Sequence, residues 1–194
     1  MSNREINIEK FLATLKDNGV YIICALPFEA DNTKNIFYSG LGKINAAIKS
    51  VEIIKSYNPK KIINYGSCGA INAELSGIIK VNKFIQHDID CTPLGFKRGI
   101  TPYDDIQEIM FDENQGYSCA SGDYFVSDKS SISSDVVDME AYAIAKACYI
   151  NDIEFDCYKY ISDNADNEAG DNWKENCSKG FSLFLNCLKE FEGR

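Results

Sequence analysis

Lys61-Ile62-Ile63-Asn64-Tyr65-Gly66-Ser67-Cys68-Gly69 is the stretch on which the fold turns, an almost wholly apolar run that ends in a glycine-bracketed turn. A short continuous run of this kind reads as a strand buried on both faces. Just upstream, Lys43 to Tyr57 sets Ile44, Ala47, Ile48, Val51 and Ile54 on one helical stripe, and Asn58-Pro59 ends it. Further back, Val20 to Leu26 is a second continuous apolar run and predicts a central parallel strand. Strand, helix, strand in that order implies a right-handed crossover, and so an α/β fold with helices on both faces of a mostly parallel sheet. Outside this unit, Ile6 to Leu15 predicts an N-terminal helix at about residues 5–17, stopped by Asp17-Asn18-Gly19. Further strands are expected at Ile78 to Gln86, near Tyr117 to Ala120 and at Phe155 to Ile161, with helices at Asp138 to Ile150 and Trp173 to Phe191. Asp90 to Asp105 and Ser127 to Asp135 are rich in turn residues.

The chain has 194 residues, which predicts one domain over 1–194. With 45% hydrophobic and 25% charged residues it has the composition of an ordinary globule, and disorder is excluded as a global description. The net charge of -9 repels a phosphate backbone and argues against nucleic acid or an anionic membrane as the main partner. Arginine occurs only at positions 4, 98 and 194, too sparsely for a site that clamps phosphate with guanidinium forks. The eight cysteines include no CxxC pair and follow no secretory apolar segment, so a reduced, cytoplasmic setting is expected. A single histidine, His87, leaves little material for His-rich zinc sites or a Ser-His-Asp triad, and neither metal nor cofactor is expected. No apolar run approaches the roughly 18 residues of a membrane span.

In an open parallel sheet, ligands bind beyond the carboxyl ends of the strands. Val20 to Leu26 runs into Pro27-Phe28-Glu29, Lys61 to Tyr65 into Ser67, and Phe155 to Ile161 into Ser162-Asp163, so two carboxylates and a hydroxyl fall at one rim. A purely structural reading carries equal weight, with Glu29 as a first-turn acid and Ser162 or Asp163 as an N-cap. Glu140 is harder to explain structurally. On a helix from Asp138 to Ile150 it shares an apolar stripe with Val137, Ala141, Ile144, Ala147 and Cys148, where an unpaired carboxylate costs several kcal/mol. It needs a partner, either Lys43 or Lys159, or a polar ligand. The glycine-bearing loops Ser39-Gly40-Leu41-Gly42-Lys43, Gly66-Ser67-Cys68-Gly69 and Ser121-Gly122-Asp123 invite a nucleotide reading, but the first lacks the third glycine of a dinucleotide fingerprint and no Walker lysine motif exists. Glycine there lets backbone approach backbone or ligand.

Five ordered motifs are shared with a known family: Ser39 to Ala47, Ile62 to Gly69, Ser121-Gly122-Asp123, Val137-Asp138-Met139-Glu140-Ala141, and Ile161-Ser162-Asp163-Asn164-Ala165-Asp166. Together they resemble the nucleoside phosphorylase superfamily, most closely its 5'-methylthioadenosine/S-adenosylhomocysteine nucleosidase branch. The resemblance implies a three-layer sandwich around a mixed, mostly parallel twisted sheet, partly barrelled, in a metal-free homodimer acting on a small nucleoside. It assigns Glu29 to orienting and deprotonating water, Glu140 to the ribose hydroxyls, and Asp163, preceded by Ser162, to purine N7. Phe125 and Val126 flank the base, Met139 lies against the ribose, Ser67, Cys68 and Gly69 form a loop near sugar and base, and Leu41 and Leu26 offer an apolar wall.

Cleavage of an N-ribosidic bond builds oxocarbenium character at C1' and negative charge on the departing purine, so an acid must protonate the base. Asp163 must then hold its proton near neutral pH, a rise of about 3 units from roughly 3.9, while Glu29 must be ionised to activate water. Where phosphorylases of the superfamily carry arginines this chain has Asn64 and Pro27-Phe28-Glu29, which favours water over phosphate as the nucleophile. The reading is therefore hydrolysis of an adenine nucleoside. The alternatives are a phosphate-dependent purine nucleoside phosphorylase and a non-catalytic nucleoside-binding relative. Residues 30–39 alone separate Glu29 from Gly40, and Ser127 to Asp135 is also short, so an abbreviated sheet is expected.

Overall fold

The computed structural model describes residues 3–111 and 116–192. In chain order the elements are α1 (Asn3–Asp17), β1 (Val20–Cys24), a 3-10 turn (Pro27–Ala30), β2 (Ile36–Tyr38), α2 (Lys43–Tyr57), β3 (Lys61–Ala70), β4 (Ile78–Gln86), a second 3-10 turn (Thr92–Leu94), β5 (Ile109–Met110), β6 (Tyr117–Ser121), β7 (Val136–Asp138), α3 (Ala141–Ile150), β8 (Glu154–Asp163), α4 (Ala169–Asn176) and α5 (Phe181–Glu192).

Because strand side chains alternate, each buried strand feeds two cores. Tyr21 and Ile23 of β1, Ile62 of β3, and Phe155 and Cys157 of β8 pack with Ala46 and Ile53 of α2 and Tyr142 and Ile144 of α3. The intervening residues Ile22, Cys24, Ile63, Tyr65 and Tyr158 pack on the other face against Leu12 and Leu15 of α1 and Phe181, Phe184, Leu185 and Leu188 of α5. Phe184 is stacked on Tyr65 with ring centroids 4.4 Å apart. Burying each such large side chain contributes about 1.5–3 kcal/mol. Helices, sheet and helices thus make three layers.

The sheet is mixed. Its strand order is β2-β1-β3-β7-β6-β4-β5, and β8 pairs with both β3 and β4, which closes β3, β7, β6, β4 and β8 into a ring. β1 is parallel to β2 and β3, and β3 to β8, whereas β7 runs antiparallel to β3 and β4 antiparallel to β8. The sheet is therefore curled and not open, and its closure brings the carboxyl ends of β1, β3 and β8 to those of β6 and β7.

Four local expectations are corrected. The strand expected at Lys61 to Tyr65 continues to Ala70, so Ser67, Cys68 and Gly69 lie on β3, at a bulge between Cys68 and Gly69, and not on a loop. The helix expected from Asp138 begins at Ala141: Val137 and Asp138 belong to β7, and Glu140 is the residue just before the first turn. The single helix expected from Trp173 to Phe191 is two, broken where a Cβ on Gly180 would stand 2.3 Å from the Tyr160 ring. The short strands β2, β5 and β7 escaped the sequence pattern; β2 occupies the abbreviated segment and completes the parallel edge beside β1.

Candidate active site

A cavity of about 260 Å³ opens where the strand ends converge, lined by Ala25, Glu29, Leu41, Ser67, Cys68, Gly69, Tyr124 to Val126, Val137 to Glu140, Asp163 and Trp173. Its three proposed carboxylates are almost fully covered, Glu29 at 4%, Glu140 at 6% and Asp163 at 7% exposure. No lysine or arginine is among the described residues that line it.

Glu29 is delivered by the 3-10 turn after β1. Its Oε1 accepts from the Ser67 backbone N–H at 2.9 Å and from the Ser67 hydroxyl at 2.6 Å, and its Oε2 accepts from the Leu26 N–H at 3.1 Å. The bond to Leu26 is the first-turn role that a structural reading foresaw, but the bonds to β3 aim the carboxylate across the strand ends. Glu140 stands at the start of α3 with Oε1 accepting from the Gly42 N–H at 2.8 Å. Asp123 Oδ1 accepts the next amide, Lys43 N–H, at 2.7 Å, so two distant carboxyl groups cap the N-terminus of α2. The lysines offered as partners for Glu140 are taken elsewhere. Lys43 pairs with Asp88, and Lys159, wholly buried, pairs with Asp138 at 2.7 Å. Burial first, and the neighbouring Asp138 second, push the Glu140 carboxyl up to about 8.

Asp163 ends β8. Its Oδ2 accepts from the Ser162 hydroxyl at 2.7 Å and its Oδ1 from the Ala165 N–H at 2.9 Å, so it caps a turn and not a helix. Burial raises its affinity for a proton against the pull of those two donors. Gly69 lies opposite: a Cβ there would come within 2.7 Å of Asp163 Oδ1, so only glycine leaves room for the carboxyl group. Phe125 and Val126 follow β6 into the cavity, and Met139 and Leu41 complete its wall.

Two expected lining residues are placed otherwise. Leu26 serves the site through its backbone amide and not as apolar wall, and Ser162 sits behind Asp163 as its donor. Trp173, Tyr124, Ala25, Val137 and Asp138 line the cavity without having been singled out. Tyr124 adjoins the expected Phe125, a signal within reach; Trp173 had none, since its segment read only as the start of a helix. Asn64, which the sequence resemblance sets in place of an arginine of the phosphorylases, turns inward and donates to the Ile23 carbonyl at 3.2 Å. Among the described residues no group of three or more His, Cys, Asp or Glu side chains is arranged to hold a metal ion.

The family model described as "Phosphorylase superfamily" matches residues 18–128, more than half the chain. The chain belongs to the phosphorylase superfamily. Among its relatives in the superfamily, it is 32% identical over 162 residues to a 5'-methylthioadenosine/S-adenosylhomocysteine nucleosidase of Staphylococcus haemolyticus, covering 71% of each chain. It is 33% identical over 163 residues to the enzyme of the same description from Buchnera aphidicola, covering 71% of this chain and 70% of that one. Its fold matches that of a Helicobacter pylori MTAN mutant with 5'-methylthioadenosine in the active site, with a TM-score of 0.79 at 18% identity, over 89% of this chain and 99% of that one. A futalosine hydrolase of Helicobacter pylori matches with a TM-score of 0.79 at 20% identity, over 88% and 95%. The superfamily fold and the three-layer arrangement expected from the motifs are those observed.

Proposed function

We propose that the chain is an N-ribosyl hydrolase that cleaves the glycosidic bond of an adenine nucleoside bearing a 5'-thio substituent, 5'-methylthioadenosine or S-adenosylhomocysteine, and releases adenine. One observation carries the reading: Glu29, Glu140 and Asp163, far apart in the chain, line a single apolar-walled cavity with no cation on its surface among the described residues. The curated relatives named for this reaction support the same choice.

In the proposed mechanism Glu29, held by Ser67 and Leu26, orients a water molecule and takes its proton as the oxygen bonds to C1'. Asp163, its proton favoured by burial, gives that proton to purine N7 as the C1'–N9 bond breaks and the electron pair leaves with the base. Glu140 keeps Oε1 for the Gly42 amide and offers its other oxygen to the ribose hydroxyls. Phe125 and Val126 flank the base, Met139 lies against the ribose, and Ser67, Cys68 and Gly69 border sugar and base. Leu41 supplies apolar wall for the 5' group. Water is the nucleophile because the groups that would hold phosphate are absent from the described lining: Asn64 faces the core and Lys159 is neutralised by Asp138.

The site draws on residues from Ala25 to Trp173, which supports reading 1–194 as one domain. Ile44 and Ile48 on α2, with Leu94 on the turn-rich segment, are exposed apolar side chains and support a homodimer. No helix among the described residues is long and apolar enough to cross a membrane, and the eight free cysteines support a cytoplasmic location.

Incubation with a panel of purine nucleosides, with and without phosphate, followed by chromatography of the released base, tests the proposal. Adenine released from the 5'-thio nucleosides at a rate indifferent to phosphate is expected. Release that requires phosphate, or binding without any release, overturns it.

A further inference from the structure

We infer that Trp173 is a positioning residue for this reaction, acting through the Ser67 hydroxyl on Glu29; the inference rests on the hydrolytic reading above. Trp173 is the chain's one tryptophan, and it lies on the cavity wall. Its indole N–H donates to Ser67 Oγ at 2.9 Å, and Ser67 Oγ donates in turn to Glu29 Oε1 at 2.6 Å.

The chemistry fixes the direction of this chain of bonds. An indole N–H can only donate, and a serine hydroxyl has one proton. With the indole occupying a lone pair of Oγ, the hydroxyl is set as a donor toward the carboxylate, and each bond polarises the next. Glu29 Oε1 then receives both the hydroxyl and the backbone N–H of Ser67, and the carboxylate is held in one orientation toward the cavity. If the indole N–H is removed, a lone pair of Oγ is free for a cavity water or a sugar hydroxyl, and the donor to Glu29 is no longer fixed.

The tryptophan is itself well placed to do this. Its ring meets Phe28, the neighbour of Glu29, edge-on at 5.9 Å between centroids, and Phe125, the residue flanking the cavity after β6, at 6.1 Å. Its helix α4 is tied to the strand that carries Asp163, because Asn176 Nδ2 donates to the Ser162 carbonyl at 3.0 Å. Trp173 therefore bridges Phe28 and Phe125 across the cavity, and its helix, through Asn176, joins the seat of the proposed base to the strand of the proposed acid.

The test is Trp173→Phe, which keeps an aromatic ring, though a smaller one, between Phe28 and Phe125 and deletes the donor, measured alone and in a Ser67→Ala background, with Glu29→Gln as reference. The expected result is a fall in kcat of about five- to tenfold, the effect of one hydrogen bond, with KM held within about twofold. In the Ser67→Ala background the same substitution is expected to leave kcat where Ser67→Ala put it. A wild-type kcat in Trp173→Phe, or losses that simply multiply in the double variant, overturns the inference. The single indole N–H resonance gives a second readout that leaves α4 untouched: it is expected to move upfield in Ser67→Ala, and an unmoved resonance likewise overturns the inference. If Glu29→Gln retains wild-type turnover, the hydrolytic reading falls and the inference with it. If Glu29→Gln is inactive while Trp173→Phe is unimpaired, the inference alone falls.

Discussion

Two cavities of about 260 Å³ each lie at opposite ends of β3 and β8, and they treat charge in opposite ways. At the amino ends, Asp156 is bound by Lys61 at 3.0 Å and by Lys80 at 2.7 Å, and Glu154 lies 3.8 Å from Lys61. At the carboxyl ends, Glu29, Glu140 and Asp163 take their hydrogen bonds from backbone amides, hydroxyls and the Cys24 thiol, and the nearby Lys159 is committed to Asp138. Matched ions are what a structural cluster needs. Glu140 and Asp163, buried without a countercharge of their own, hold a proton more tightly than an ordinary carboxyl group, and such groups are suited to acid and base chemistry.

The contrast breaks most visibly at Asp163. Asp163→Asn is expected to slow base release by about 10²–10⁴, the range for positioned acid catalysis, and an unchanged rate in the chromatographic assay would reject its part as proton donor. Glu140→Gln follows, with a loss of about 10²–10³ in kcat/KM and an unaltered circular dichroism spectrum; near wild-type kinetics would remove the ribose role. The paired end should respond differently: Asp156→Asn is expected to leave turnover within about twofold while lowering Tm by about 2–4 °C, the shift that about 1 kcal/mol produces in a chain of this size.

The pH dependence of stability sharpens the same comparison, because the two ends contribute with opposite sign. Glu140 has its folded pKa raised to about 8 from an ordinary 4.5. Between those values the folded chain holds a proton that the unfolded chain has released, so stability falls as pH rises across that window. Burial alone would raise Asp156, but hydrogen bonds and charge from Lys80 and Lys61 hold it below the ordinary 3.8. Its contribution is present above pH 3.8 and is lost as pH falls below it. Denaturant titrations across pH should show the loss between about pH 4.5 and 8 reduced in Glu140→Gln and the loss below pH 3.8 reduced in Asp156→Asn. The reverse pattern would mean that the two ends have been misassigned.

Much of this was legible in the chain. The apolar runs Val20 to Leu26 and Lys61 to Tyr65 read correctly as buried strands, since a strand covered on both faces must be apolar at successive positions. The acids Glu29 and Asp163 were visible because they directly follow such runs. Glu140 was singled out for the wrong local reason: it was placed on an apolar helical stripe, whereas it precedes the helix and is buried because the Gly42 amide and the strand ends close over it. β7 was lost to that same error, three residues being too few for any period to declare itself. Trp173 was missed because nothing local distinguishes a tryptophan that packs in a core from one that faces a cavity.

The sequence by itself determined the superfamily and the parallel crossover, and it singled out three acids that the fold brings to one cavity, because apolar runs and motifs can be read along the chain. Only the tertiary structure decided which charges meet. Lys159 goes to Asp138 and not to Glu140, Ser67 turns to Glu29 on one side and Trp173 on the other, and Leu26 gives its amide and not its side chain. Those choices depend on the closure of the strand ring and on angstrom-scale distances between residues as far apart as Ser67 and Trp173, and no local pattern along the chain encodes them.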